Sequence, residues 1–501
     1  MGCVVASDIG SSGCKSVVVD EGGHLLAQAS HDYPTRHLAG GGVEQDPPDW
    51  LAAVGATVRR AVADARVAAS EVAAYGVVGV THNAVLLDAH DRLLRPCILL
   101  FDTRSGPQSA AISARWGDEV VRRTCNGPSP AWTWPQLQWV RDHEPEVWAA
   151  TRRVLFQKDW VRHALAPSPV TDTIDAAGSL LFDPRRGAWI DAFVRDLGLP
   201  ESALPAVHAP TDRVATLSAE GAAITGLRVG TPVIAGTTDT AAEMLGAGAL
   251  APGQGTVKLA SVGRLAWIDA GPVPDPRAFN YRFVIDDLWY PGTAIKYGAT
   301  ALRWLRDACG GDADYDALDA AAAAAGPGAG GLLFLPHLNG QWAPHWDASL
   351  RGAFVGLTAA HGRGHLARAV MEGVAFALRD ALDEARARGL RLDELRLLGG
   401  GSRSATWTQA LADVLDCTLL VPEQRSAAWG AALLTGVGAG FWPARADAIA
   451  ARVRIARHCE PNAAQREQAR ALHALYRRAD AALAPIGRAL GELRPVGVAA
   501  H

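Results

Sequence analysis

The sequence predicts an α/β protein built as two domains, and three observations carry that prediction. The chain has 501 residues, beyond the ~100–200 of an ordinary single domain. Short apolar runs of strand type alternate with segments whose apolar residues recur every three or four positions, the mark of helices with one buried face. A strand pair with a small polar tip occurs at the start and again about half a chain later, which suggests duplicated domains.

Residues 2–20 read as a strand, a tight turn at Gly10-Ser11-Ser12-Gly13, and a second strand over 16–20. Asp46 is a good N-cap and Pro47 suits a first helical position, and Trp50, Val54, Val58, Ala61 and Val62 then fall on one helical face. Residues 77–80 and 84–88 are short strands around Thr81-His82-Asn83. In the second half, 230–235 is a strand of buried type, Gly236-Thr237-Thr238-Asp239-Thr240 a polar turn, and 241–250 a helix of small residues. Residues 256–260 and 264–269 form the second hairpin, around Ser261-Val262-Gly263. Residues 396–398 form a strand that runs into Gly399-Gly400-Gly401-Ser402-Arg403-Ser404, ahead of a helix with Trp407, Ala410, Leu411, Val414 and Leu415 on one face. Gly, Ala and Pro concentrate over 246–253, so the domains are placed at 1–248 and 249–501. The Ala- and Gly-rich run 321–331 reads as a helix end and a surface loop.

Composition narrows the function classes. The chain is 49% hydrophobic and 20% charged, with 48 Lys+Arg against 52 Asp+Glu and a net charge of −4. That balance excludes a disordered chain and argues against a nucleic-acid partner. Cysteines 3, 14, 97, 125, 309, 417 and 459 are scattered and never spaced as CxxC, so they read as reduced core thiols. No stretch approaches the roughly 18 apolar residues of a membrane helix. No basic leader is seen, and Ala6 stands where a myristoylation signal needs Ser or Thr, so the expected location is the cytoplasm. Lysine occurs only at 15, 158, 258 and 296.

Three glycine- and hydroxyl-rich turns at strand ends suit a nucleoside triphosphate, because backbone N–H groups approach phosphate closely only where side chains are small. None matches GxxxxGK[ST] or a clean GxGxxG, and each alone is more often a plain turn. Asp8 precedes the first turn and Asp239 lies inside the turn after the second-half strand. Phosphoryl transfer needs Mg²⁺ near a carboxylate, and an alcohol acceptor needs a base for its proton. Asp in a turn is ordinarily a helix cap, but Thr237, Thr238 or Thr240 can take that part beside Asp239.

These segments, with Val43-Glu44-Gln45-Asp46-Pro47, Asp102-Thr103-Arg104, 172–178 (DTIDAAG), 235–242 (AGTTDTAA) and 334–347 (FLPHLNGQWAPHWD), resemble in order and content the FGGY carbohydrate kinases, most nearly the xylulokinases among them. The resemblance covers nearly the whole chain. It implies two actin-like, ribonuclease-H-like domains with sugar and ATP in a cleft between them, and transfer of phosphate from ATP to a sugar hydroxyl, D-xylulose to D-xylulose 5-phosphate. By resemblance Asp239 is the catalytic base and Asp8 the carboxylate near Mg²⁺. Thr81, His82, Asp102, Asp239 and Thr240 contact the sugar. Ser12, Lys15, Ser261, Gly400, Gly401 and Ser404 contact ATP, whereas Lys158 and Lys296 are read as structural or surface residues and Lys258 has no matching role.

The chain departs from the family pattern at several points. Leu259-Ala260-Ser261-Val262-Gly263 stands where Leu-Gly-Thr-Ser-Gly is usual, so one hydroxyl is lost from the second hairpin. Gln136 replaces a Lys, Thr240 an Asn, Leu100-Phe101 a Trp-Asn, and Thr81 the Met that usually precedes the sugar-contacting His. Several of these line the expected acceptor pocket. The alternatives are therefore a kinase of the same fold for another ketose, gluconate or a polyol, and a non-catalytic sugar-binding sensor. Trp342 and Trp346 suit a cleft mouth, a core or a homodimer contact, and the sequence does not choose among the three.

Overall fold

The computed structural model describes residues 2–273, 275, 277–285, 287–309 and 314–492. By contact the chain forms two units, each assembled from separate runs: Met1–Leu250, Asp269–Pro291 and Gln424–Val453 in the first, Ala251–Ile268, Gly292–Glu423 and Arg454–His501 in the second. This division differs from a single cut at 248/249. Close packing draws one late segment into the first unit: a Cβ at Gly430 in the helix Ala427–Ala439 would lie 1.7 Å from the Ala242 carbonyl oxygen, and one at Gly76 would lie 2.0 Å from Thr435 Oγ1.

The first unit holds a mixed sheet in the order Arg213–Thr216, Pro232–Ile234, Val72–Gly79, Cys3–Ile9, Gly13–Asp20, Leu25–Asp32. Cys3–Ile9 runs antiparallel to Gly13–Asp20 and parallel to Val72–Gly79. A second, seven-stranded sheet repeats this plan and adds a strand, in the order Ile455–Cys459, Thr418–Pro422, Glu394–Leu398, Gln254–Leu259, Gly263–Trp267, Trp289–Ile295, Phe279–Arg282. Gln254–Leu259 is antiparallel to Gly263–Trp267 and parallel to Glu394–Leu398, strand for strand the pattern of the first unit. The two mixed sheets of one topology agree with the duplicated, ribonuclease-H-like fold that the sequence pattern implies.

The cores follow the periodicities. In the helix Pro47–Ala65, Trp50, Val54, Val58 and Ala61 are completely buried, each larger apolar side chain contributing about 1.5–3 kcal/mol by burial. Asp46 occupies the N-cap position without capping; its carboxylate pairs instead with Arg36 at 3.1 Å. The helix Ala405–Leu415 buries all five residues expected on its apolar face. The seven cysteines are free and six are buried, but Cys309 is exposed rather than in the core. Trp342 and Trp346 stack on each other at 6.0 Å with Trp346 half exposed. Among the described residues no helix is long and apolar enough to cross a membrane.

Candidate functional site

In open α/β sheets, ligands bind where loops leave the carboxyl ends of parallel strands. In the first unit that edge gathers the residues singled out above. Ile9 pairs with Gly79, and Gly79 in turn bridges Thr238, so the strand end carrying Asp8 and the turn carrying Asp239 flank Gly79. Two strand spacings put their backbones about 10 Å apart.

Asp239 opens the helix Asp239–Ala247, and Thr238 is its N-cap, with the Ala241 N–H donating to Thr238 Oγ1. The Asp239 carboxylate is thus released from capping, as the run of threonines predicts. Thr240 does not project independently: its N–H and hydroxyl donate to Asp239 Oδ1 at 2.6 and 3.1 Å. Those two bonds fix the rotamer of the carboxylate.

The first hairpin presents Ser11 and Ser12 at an exposed tip. Tyr33 N–H donates to the Ser12 carbonyl and Gln45 Nε2 to that of Ser11, so the tip backbone is held from below. Asp8 faces Lys15 directly across the strand pair. Beneath it runs a buried chain of hydroxyls in which Tyr75 donates to Ser7, Ser7 contacts Ser16, Ser16 contacts Thr57, and Thr57 donates to the Ala53 carbonyl. Every member is partnered, as buried hydroxyls require, and the chain ties the hairpin to its helix.

His82 has a left-handed backbone, φ 74°, and its ring stacks on Trp132 at 4.2 Å. Nδ1 lies 2.9 Å from the Ala131 carbonyl oxygen, which only accepts, so Nδ1 carries the hydrogen. Nε2 is then an acceptor, and Tyr281 donates to it at 2.6 Å. Burial pushes the His82 imidazole down to about 3, leaving it neutral. A Cβ at Gly178 would lie 2.4 Å from Thr81 Oγ1 and 2.9 Å from the His82 ring, which explains the glycine that ends the DTIDAAG segment. Asp102 is 1% exposed, and its carboxylate accepts from the Val43 N–H and pairs with Arg104 at 2.7 Å. These bonds hold Asp102 within its own loop.

Sequence reasoning missed what lies behind these residues. Lys158, Asp159, Arg162, Asp172 and Asp175 are all 0–1% exposed and form one buried ionic cluster. Lys158 Nζ lies 2.5 Å from Asp159, 2.8 Å from Asp172 and 3.2 Å from Asp175. Burial alone lowers the lysine, but the three carboxylates outweigh it and hold Lys158 charged. Burial pushes the Asp175 carboxyl well above the usual range, against the pull of Lys158. The signals available were the scarcity of lysine and the two aspartates of the DTIDAAG segment. Nothing in the sequence pointed to Tyr281 or Tyr290, whose rings stack at 5.2 Å and whose hydroxyls reach His82 and Thr238.

In the second unit, Ser261 sits exposed at the tip of its hairpin, its carbonyl accepting from the Gly298 N–H. The loop after Glu394–Leu398 lies against this hairpin's first strand. Gly399 has φ 84°, and a Cβ there would meet the Leu259 carbonyl at 2.3 Å, so this position admits only glycine. A Cβ at Gly401 would press on the Leu259 side chain, whereas one at Gly400 would meet nothing within 4 Å. Ser404 caps the helix Ala405–Leu415 by accepting from the Trp407 N–H at 2.8 Å, and it donates to Asp319. Ser261 is exposed, and Gly400 has open space where a side chain would stand.

Comparison with known proteins agrees. The N-terminal domain of the FGGY family of carbohydrate kinases matches residues 3–246 and the C-terminal domain residues 269–439. A xylulose kinase of Bacillus subtilis strain 168 is 31% identical over 481 residues, covering 95% of this chain and 96% of its own. A gluconokinase of the same strain is 27% identical over 447 residues, 85% of this chain and 86% of its own. The solved structure of a xyloylose kinase from Brucella ovis superposes with a TM-score of 0.89 at 32% identity, over 97% of this chain and all of that one. The chain belongs to the FGGY family of carbohydrate kinases, phosphotransferases that use ATP to phosphorylate a sugar hydroxyl.

Proposed function

We propose that this chain phosphorylates D-xylulose to D-xylulose 5-phosphate, with Asp239 as the base that takes the proton of the attacking hydroxyl. The observation that carries this reading is the Asp239 carboxylate, bonded by Thr240 at the start of a helix that Thr238 caps, on the same strand edge as Thr81 and His82. The hydroxyl oxygen attacks the γ-phosphorus, its proton passes to Asp239, and ADP leaves. Ser12 and Lys15 of the first hairpin, and Ser261, Gly400, Gly401 and Ser404 in the second unit, are the groups assigned to ATP.

Asp8 is the residue assigned to Mg²⁺. Among the described residues no group of three or more His, Cys, Asp or Glu could enclose a metal. A lone carboxylate fits Mg²⁺ all the same, since that ion usually keeps several waters and takes one or two carboxylates plus phosphate oxygens. It would neutralise charge on the phosphates.

Gluconate is the second reading, favoured by the gluconokinase relative. The site chemistry supports a neutral acceptor instead. His82 is uncharged, and the nearby cations Lys158 and Arg162 are paired with buried carboxylates. Sugar-dependent ADP release over D-xylulose, D-ribulose, gluconate and glycerol tests both. The highest kcat/KM is expected for xylulose; a higher value for gluconate replaces the substrate, and no stimulation by any of them sinks the kinase reading for these acceptors.

A further inference from the structure

The turn that carries Asp239 is pinned at successive residues, and two of the pins are buried charges. Arg162 Nη1 donates to the Ala235 carbonyl at 2.6 Å, while the same nitrogen pairs with Asp159 at 2.8 Å. Gly236 has φ 78°, and a Cβ there would lie 1.8 Å from the Val77 carbonyl oxygen. Thr237 Oγ1 donates to Asp172 Oδ1 at 3.2 Å, and that same oxygen accepts the Ile174 N–H at 2.9 Å. The opposite oxygen of Asp172 faces Lys158 Nζ at 2.8 Å. Thr238, next in line, caps the helix and contacts Tyr290 OH.

The cluster holds two cations, Lys158 and Arg162, against three carboxylates, all essentially out of water. Desolvating such charges offsets much of their mutual attraction, and a well-packed apolar plug of the same volume serves stability as well or better. What a plug cannot do is direct hydrogen bonds at the carbonyl of residue 235 and the hydroxyl of residue 237. Catalytic groups must be held to within about half an ångström of their working position, which demands such directed support.

We propose that Lys158 and Asp172 are positioning residues for the base: Lys158 fixes Asp172, Asp172 fixes Thr237, and Thr237 sets the height and direction at which Asp239 leaves the sheet. The inference rests on the assignment of Asp239 as base in the preceding reading. Neither residue touches the acceptor in this scheme.

Thr237→Val is the first test, because it keeps the branched shape and removes only the donor. A fall of about tenfold in kcat is expected, with the KM of sugar and ATP within about twofold, since misplacing a base costs turnover rather than binding. Thr237→Ser, which keeps the hydroxyl, is expected to recover most of that loss. Lys158→Met is expected to lower kcat further, by about 10²-fold, together with thermal stability. Amide hydrogen exchange gives a readout independent of turnover: in Thr237→Val, residues 238–241 should exchange faster than in the parent while the strand Cys3–Ile9 does not. Wild-type kcat in Thr237→Val, or unchanged exchange over 238–241, overturns the proposal. If the parent shows no sugar-dependent ADP release, the kinase reading fails on that result alone, and the exchange comparison still decides whether Asp172 holds the turn.

Discussion

The hydroxyl of Tyr281 lies 2.6 Å from Nε2 of His82, across 199 residues of sequence, and donates to it. Because the Ala131 carbonyl can only accept, it puts the hydrogen on Nδ1 and leaves Nε2 as the acceptor that the Tyr281 hydroxyl satisfies.

Removing that donor leaves the buried nitrogen unsatisfied. Tyr281→Phe is expected to lower stability by about 1–3 kcal/mol, the cost of an orphaned buried polar group. Chemical denaturation measures this, and a variant as stable as the parent refutes the contact. The KM for sugar is expected to rise while that for ATP stays put.

The same burial makes a pH prediction. The His82 imidazole is pushed down to about 3, from an unfolded value near 6.5, so the unfolded chain binds the extra proton between these limits. Its stabilising contribution is full above about pH 6.5 and is lost towards pH 3, at about 1.4 kcal/mol per pH unit. Asp175 acts with the opposite sign: burial raises its carboxyl, so the folded chain binds the extra proton, and stability falls as pH rises from the ordinary carboxylate range. The two slopes oppose each other in mildly acidic solution. Asp175→Asn should therefore show a steeper gain of stability from pH 4 to 6.5 than the parent, measured by denaturant midpoints at each pH; an equal or shallower slope contradicts it.

Asp239→Asn keeps the size of the side chain and removes the base. Turnover is expected to fall by about 10²–10⁴-fold while sugar and ATP still bind, as read by calorimetry beside ADP release. Near-wild-type rates would sink the assignment.

The glycine loop of the second unit separates folding from ligand contact. Gly399→Ala sets a side chain against the Leu259 carbonyl at positive φ, so a lower melting temperature is expected. Gly400→Ala meets no protein atom and should melt like the parent, yet raise the KM for ATP. A Gly400→Ala enzyme with unchanged ATP kinetics removes that residue from the nucleotide site.

Chelation addresses Asp8. Activity should vanish with excess EDTA and return with Mg²⁺, and Asp8→Asn should need a higher Mg²⁺ concentration for half-maximal rate. An unchanged requirement in Asp8→Asn moves the metal elsewhere.

By itself the sequence determined the local pieces. The strand-type apolar runs on either side of the Gly10–Gly13 turn, the helical spacing of Trp50, Val54 and Val58, and the small turns at Gly10, Gly236 and Gly399 are properties of neighbouring residues, so the chain spells them out. The order of the motifs carried the family, and the threonines around Asp239 showed that its carboxylate need not cap. Tertiary structure decided which groups stand together. His82 and Tyr281 meet, Lys158 gathers aspartates 159, 172 and 175, Ser404 caps a helix, and Asp102 accepts from the Val43 N–H. A hydrogen bond or ion pair acts over a few ångströms in space and leaves no periodicity along the chain. The residues 269–291 and 424–453, read from order alone as part of the second domain, group with the first: glycines at 76 and 430 let the helix Ala427–Ala439 pack closely, and Tyr281 bonds to His82.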